Sequence, residues 1–212
     1  MDRPDRELGV PANGIAEAVF TRAESSHDEL RAAGRAGLQG PDGTVRVDDR
    51  EAFIEDVHKA LWCSKVVSYS QGFDEIRTGG KEFGWDIDVA EAAKIWRDGC
   101  IIRAALLERI RKEYTADPGL VSLMCASSVA PEMAANQGAW RRVVAKAAES
   151  GVPAPVFSAT LAYYDMARAP RVNAALTQAQ RDFFGSHTYE RVDDEGHYHI
   201  EWTADRSETK ID

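Results

Sequence analysis

The chain has 212 residues, 44% hydrophobic, 29% charged and 8% aromatic, a composition that suits one folded core and excludes a disordered polymer. A formal net charge of −9 argues against broad electrostatic capture of nucleic acid, though not against a small basic pocket for one anionic metabolite. Three scattered cysteines, Cys63, Cys100 and Cys125, form no Cys-x-x-Cys and read as reduced, buried thiols. The charged start has no apolar secretory core, and no run reaches the ~20 apolar residues of a membrane span. The expectation is a cytoplasmic protein with neither membrane nor nucleic acid as partner.

Behind Pro11, the positions Ile15, Val19 and Arg22 recur at i, i+4, i+7 and predict a helix. Gly34, Gly37, Gly40, Pro41 and Gly43 predict a loop from Gly34 to Asp49. A long helix is predicted through Phe53, Val57, Ala60, Leu61, Val67, Phe73 and Ile76, with Gly72 marking a close helix crossing and the end near Gly84. Asp88, with Glu91 three residues on, reads as the N-cap of a helix carrying Ala92, Ile95, Trp96, Ile102, Leu106 and Ile110. Asp117-Pro118-Gly119 is a turn, and residues 120–130 are short and irregular. Trp140, Val143, Val144 and Ala147 mark a helix stopped at Ser150-Gly151. Phe157, Leu161, Tyr164 and Ala167 mark another, interrupted by Pro170. Ala175 to Phe184 is the last helix, with Gly185 placed as its left-handed terminator.

From Glu190 to Asp212 there are eight acids and three bases. Tyr198, Ile200 and Trp202 alternate with His199 and Glu201, which predicts an extended arm, mostly solvated beyond Trp202. No strand pairing is evident. The expected fold class is all-α, a single multi-helix domain with a helical body over residues 8–189 and an extended tail over 190–212.

Chemistry-bearing motifs are few. Gly34, Gly37 and Gly40 form Gly-x-x-Gly-x-x-Gly with no strand before it, so they cannot offer the turn and helix N-terminus that cradle a pyrophosphate. His197 and His199 would face one side of a strand but have no third ligand, and no metal is expected. Arg181 is followed six residues later by His187, beyond Gly185. A guanidinium offers forked donors to a phosphate or carboxylate and an imidazole adds one more. Read alone, Arg181 could equally cap a carbonyl or pair near Asp182, and Arg22 could pair with Glu17 or Glu24.

The stretch Gln178-Ala-Gln-Arg-Asp-Phe-Phe-Gly-Ser-His-Thr-Tyr189 resembles the C-terminal signature of decarboxylating 6-phosphogluconate dehydrogenase. Leu8-Gly-Val-Pro11, Glu17-Ala-Val-Phe-Thr-Arg22, Ser68-Tyr-Ser-Gln-Gly-Phe73, Lys81-Glu-Phe-Gly-Trp85, Trp96-Arg-Asp-Gly-Cys-Ile-Ile-Arg103, Tyr163-Tyr-Asp165 and Glu195 to Trp202 resemble the same family in the same order.

That resemblance implies a helical, homodimeric C-terminal domain whose tail reaches into the partner subunit. It implies substrate-phosphate ligands at Arg22, Arg181 and His187, the last two presented to the other subunit, and NADP as cofactor. The implied reaction is oxidation of 6-phosphogluconate at C3 and decarboxylation to ribulose 5-phosphate, in the pentose phosphate pathway and gluconate metabolism. The family's NADP-binding domain, its Gly-Thr-Gly-Lys-Trp loop and its Lys-x-x-x-Asn-x-x-Glu helix have no counterpart here. Asn13, Asn136 and Asn173 are preceded at the lysine position by Gly9, Glu132 and Ala169. No catalytic or cofactor-binding residue is therefore expected in this chain, which would be inactive alone and dependent on a separate dinucleotide-binding polypeptide. The alternative is a non-catalytic helical dimerisation or sugar-phosphate-binding module derived from that enzyme.

Overall fold

The computed structural model describes residues 8–97 and 104–211. Its order is α1 (Asn13–Ser25), α2 (Asp28–Gly37), α3 (Arg50–Phe83), α4 (Val89–Arg97), α5 (Ala105–Ala116), a 3-10 turn (Leu123–Cys125), α6 (Ala130–Ser150), α7 (Pro155–Arg168), α8 (Ala175–Gly185), then β1 (Tyr189–Glu190), β2 (His197–Ile200) and β3 (Glu208–Ile211). The helical class read from the periodicity holds. The chain divides into two compact units, Met1–Asp165 and Met166–Asp212.

The first unit is organised by α3, whose 34 residues span about 50 Å at 1.5 Å rise per residue. Asp49 Oδ1 accepts from Ala52 N at 3.0 Å to cap its start, and Gly84, at φ 66°, ends it. Ala60, Cys63, Val66, Val67, Ser70 and Phe73 are buried at helical spacing. They meet Trp140 and Val143 of α6, Leu107 and Ile110 of α5, and Leu123 in one core. Trp140 Nε1 donates to Phe157 O at 3.1 Å, so the buried indole stays satisfied. Arg142 of α6 pairs in a fork with Asp56 of α3, at 2.6 and 2.7 Å.

The close crossing falls at Gly14, not Gly72. A Cβ on Gly14 would lie 2.5 Å from Thr160 Cγ2 and 3.0 Å from Gln71 Oε1, whereas one on Gly72 would meet only Ile15 Cδ1 at 3.8 Å. The buried Gln71 carboxamide accepts from Gly14 N at 3.0 Å and donates to Asn13 Oδ1 at 2.9 Å. It thereby supplies the cap that Ala12 lacks. Ile15 and Val19, the stripe that predicts α1, remain exposed.

Other expectations shift. Gly34 and Gly37 lie inside α2, a helix with no buried residues that begins on acids after His27. The glycine count outweighed this short helix in the sequence pattern. Ile102 and Cys100 fall outside the described residues, and Ala104 is extended at φ −148°, so α5 starts as a helix of its own. Cys63 is buried, and burial pushes its thiol up to about 12, but Cys125 is exposed.

In the second unit, the expectation of no strand pairing is overturned. β1, β2 and β3 form an antiparallel sheet in that order, with Tyr189 opposite Tyr198 and Tyr198 opposite Lys210. The chain beyond Trp202 is not an unpaired tail: it turns and returns as β3, although all four β3 residues are exposed. The alternation at Tyr198 and Ile200 marks β2, but β1, of two residues, and β3, with no buried face, carry no such pattern to show what β2 pairs with.

Candidate anion-binding site

Arg22 sits exposed in the last turn of α1, where cationic side chains suit the helix dipole. Its guanidinium pairs with neither Glu17 nor Glu24 among the described residues. Arg22 belongs to the first unit, and Arg181 and His187 to the second.

Within the second unit, Arg181 and His187 are brought to one bend. α8 runs to Gly185, and its left-handed cap is Ser186 rather than Gly185 itself: Ser186 has φ 50°, and its N–H donates to Asp182 O at 2.9 Å. Thr188 also has positive φ, at 26°. Non-glycine residues held in such sparsely populated backbone regions cost of order 1–3 kcal/mol each, so neighbours must hold the bend. Gln178, about two turns earlier on α8, does this. Its Nε2 donates to His187 O at 2.8 Å and to Thr188 O, and its Oε1 accepts from the Arg181 guanidinium at 3.3 Å.

The His187 ring rests on Gly185, since a Cβ there would lie 2.9 Å from Cδ2 and Nε2. Both charged or polar heads, Arg181 and His187, are exposed.

Asp182 does not pair with Arg181. Its carboxylate, 0% exposed, points the other way. Oδ1 stands 2.8 Å from His199 Nδ1, and Oδ2 accepts from Ile200 N at 3.1 Å and Trp202 Nε1 at 2.8 Å. Burial pushes the Asp182 carboxyl up, but the hydrogen bonds from His199, Ile200 and Trp202 outweigh it and leave it below its ordinary value. Asp182 thus fastens α8 to the sheet while leaving Arg181 uncompensated. Sequence reasoning gave no role to Gln178 and Asp182, four apart on α8, and gave Gly185 only that of a helix terminator. Their proximity to Arg181 was visible, but which way each side chain turns was not.

Other features do not fit an anion or a metal. A concavity of about 520 Å³ over residues 190–197 sets Glu190, Asp193, Asp194 and Glu195 against Arg191, the wrong sign for an anion. A second, of about 810 Å³, is lined by Ala175, Ala179, Tyr189, Ile200 and Trp202, with Gln178 on its wall, and does not include Arg181 or His187. Among the described residues no group of three His, Cys, Asp or Glu side chains is placed to hold a metal, and no helix is long and apolar enough to cross a membrane. Gly34 and Gly37, inside a helix, do not fit a dinucleotide pyrophosphate.

Residues 5–202 match the family model described as 6-phosphogluconate dehydrogenase, C-terminal domain. The NADP(+)-dependent, decarboxylating 6-phosphogluconate dehydrogenase of Bacillus subtilis is 45% identical over 196 residues, covering 92% of this chain and 42% of that one. The chloroplastic decarboxylating enzyme 3 of Arabidopsis thaliana is 46% identical over 203 residues, covering 93% and 42%. A solved structure of the Plasmodium falciparum 6-phosphogluconate dehydrogenase, described in apo form and in complex with its cofactor NADP+ and its substrate 6-phosphogluconate, superposes with a TM-score of 0.87 at 35% identity. It covers 94% of this chain and 43% of that one. The chain therefore spans about two-fifths of the length of these relatives.

Proposed function

Since the chain belongs to the 6-phosphogluconate dehydrogenase family, as its C-terminal domain, we propose that it supplies the substrate-phosphate ligands and the dimer interface of an NADP-dependent decarboxylating enzyme of that kind. Arg22 of one subunit and Arg181 and His187 of the other converge on the phosphate of 6-phosphogluconate. The observation that carries this reading is the bend of the second unit. There Gln178 contacts both the Arg181 guanidinium and the His187 carbonyl, Arg181 and His187 are both exposed, and the one buried carboxylate among the unit's described residues, Asp182, is turned onto the sheet. Each charge-assisted hydrogen bond to a phosphate oxygen contributes roughly 1.5–3 kcal/mol. Three such groups suffice to hold a dianion on a protein whose net charge is −9.

No hydride or proton-transfer step is assigned to these residues. Their glycines do not fit NADP, and no lysine stands four residues before an asparagine. Another polypeptide segment brings that equipment, and the pathway is the oxidative, cytoplasmic use of 6-phosphogluconate. The test is calorimetry with 6-phosphogluconate on the wild type and on Arg22→Ala, Arg181→Ala and His187→Ala. We expect binding to weaken tenfold or more in each variant, with no NADPH formed when NADP is added. Wild-type affinity in all three variants would overturn the assignment, and sustained turnover would overturn the division of labour.

The same residues favour one further reading, in which the domain binds the sugar phosphate or dimerises without serving catalysis. It predicts that binding persists and that no dinucleotide-binding partner restores turnover.

A further inference from the structure

We infer that Gln178 is a positioning residue of this anion site, one carboxamide that sets both of its ligands in the second unit. The inference rests on the function proposed above and extends it to residues that neither the family match nor the relatives' names assign. The amide faces two ways. Its nitrogen carries two hydrogens, and they go to His187 O and Thr188 O, the two carbonyls at the bend. Its oxygen accepts from Arg181 NH1 at 3.3 Å. No other standard side chain of this length offers two donors to the carbonyls and an acceptor to the guanidinium at once.

The 3.3 Å contact is long for a hydrogen bond to a charged donor and leaves the other guanidinium N–H groups free for a ligand. Gln178 is half-buried. The backbone it holds has positive φ at Ser186 and Thr188, conformations that do not persist unsupported. Gly185 completes the arrangement by leaving room for the imidazole, which a side chain there would displace. Arg181 and His187 are therefore set before the ligand arrives, and binding need not order them.

The experiment compares the full chain as wild type, Gln178→Leu, Gln178→Glu and Gly185→Ala. Calorimetry gives the affinity for 6-phosphogluconate, and NMR follows the His187 imidazole resonance as inorganic phosphate is added. Helix content and melting temperature are read in parallel. We expect Gln178→Leu to weaken 6-phosphogluconate binding about tenfold or more with helix content unchanged. Gln178→Glu should weaken it further, because a carboxylate cannot donate to the carbonyls and competes for Arg181. Gly185→Ala leaves the Gln178 contacts in place and should shift the imidazole resonance and weaken binding.

Affinity unchanged in Gln178→Leu while Arg181→Ala loses binding overturns the positioning role and leaves the phosphate site standing. A lowered melting temperature with unchanged affinity marks a merely structural glutamine and overturns the role as well. Should Gln178→Leu fail to fold, Gly185→Ala decides: an unmoved His187 resonance and wild-type affinity refute preorganisation. A wild type that binds no 6-phosphogluconate overturns this inference and the proposed function together.

Discussion

In the second unit the Asp182 side chain ties α8 to β2 and to Trp202. Asp182 is the sole fully buried charge among that unit's described residues and receives hydrogen bonds from the backbone of Ile200 and the indole of Trp202, beside His199 Nδ1. Asp182→Asn keeps the shape but puts an amide N–H against a donor. We expect it to cost about 2 kcal/mol, the range for hydrogen bonds to a charged group. Urea unfolding followed by the Trp202 indole N–H resonance measures this. The pH dependence has a definite sign. The folded carboxyl lies below its ordinary value of 3.8, so its contribution is present above that pH and is lost as pH falls through the lower folded value. Acid should therefore loosen the Trp202 contact below about pH 4, and an identical acid transition in Asp182→Asn would show that this carboxylate is not responsible. Asp182 stands beside Arg181 in the sequence, where pairing of the two is the natural reading. Consecutive helical residues point about 100° apart, and the structure sends one to solvent and the other to the sheet.

Among the elements, α1 shows how a helix can be recognised for an incomplete reason. Its periodicity through Ile15 and Val19 marks the helix correctly, yet those residues are exposed and the buried contact is Gly14. Gly14→Ala should destabilise the first unit by about 1–3 kcal/mol, because the added methyl meets Thr160 and the Gln71 carboxamide that caps the helix. Gly72→Ala, inside α3 where the added methyl meets only Ile15 Cδ1 at an ordinary 3.8 Å, should stabilise by about 0.5–1 kcal/mol by relieving the glycine's cost in a helix. Thermal melts of the two variants should move in opposite directions. The same sign in both would show that the crossing is not where the structure places it. The long elements α3, α6 and α7 are legible because ten or more residues repeat one period and end on recognisable stops, Gly84 and Gly151 among them. The short ones are not: α2 hides behind its glycines, and β1 and β3 have no buried face to pattern.

At the scale of the whole molecule, the second unit is poor in interior. Among its described residues only Asp182 and Tyr198 are buried, while Leu176 is 76% exposed and Phe184 79%. A unit of 47 residues with so little core sits at the edge of what folds unaided. Under the proposed dimer, its stability depends on protomer concentration. Hydrogen exchange should then show protection of α8 and β2 that falls on dilution, while α3 and α6 stay protected. Equal protection at all concentrations would argue that the second unit needs no partner copy.

What the amino-acid sequence determined by itself was the helical class, the stops of the long helices, the family and the candidates Arg22, Arg181 and His187, because each depends on local periodicity or on residues in a fixed order. Only the tertiary structure decided that Gly14 is the close crossing, that the arm returns as a paired strand, and that Gln178 sets the bend carrying His187. These depend on which atoms meet across turns and between elements. A one-dimensional pattern records the side chain available at each position, and three-dimensional packing selects the direction in which it is used.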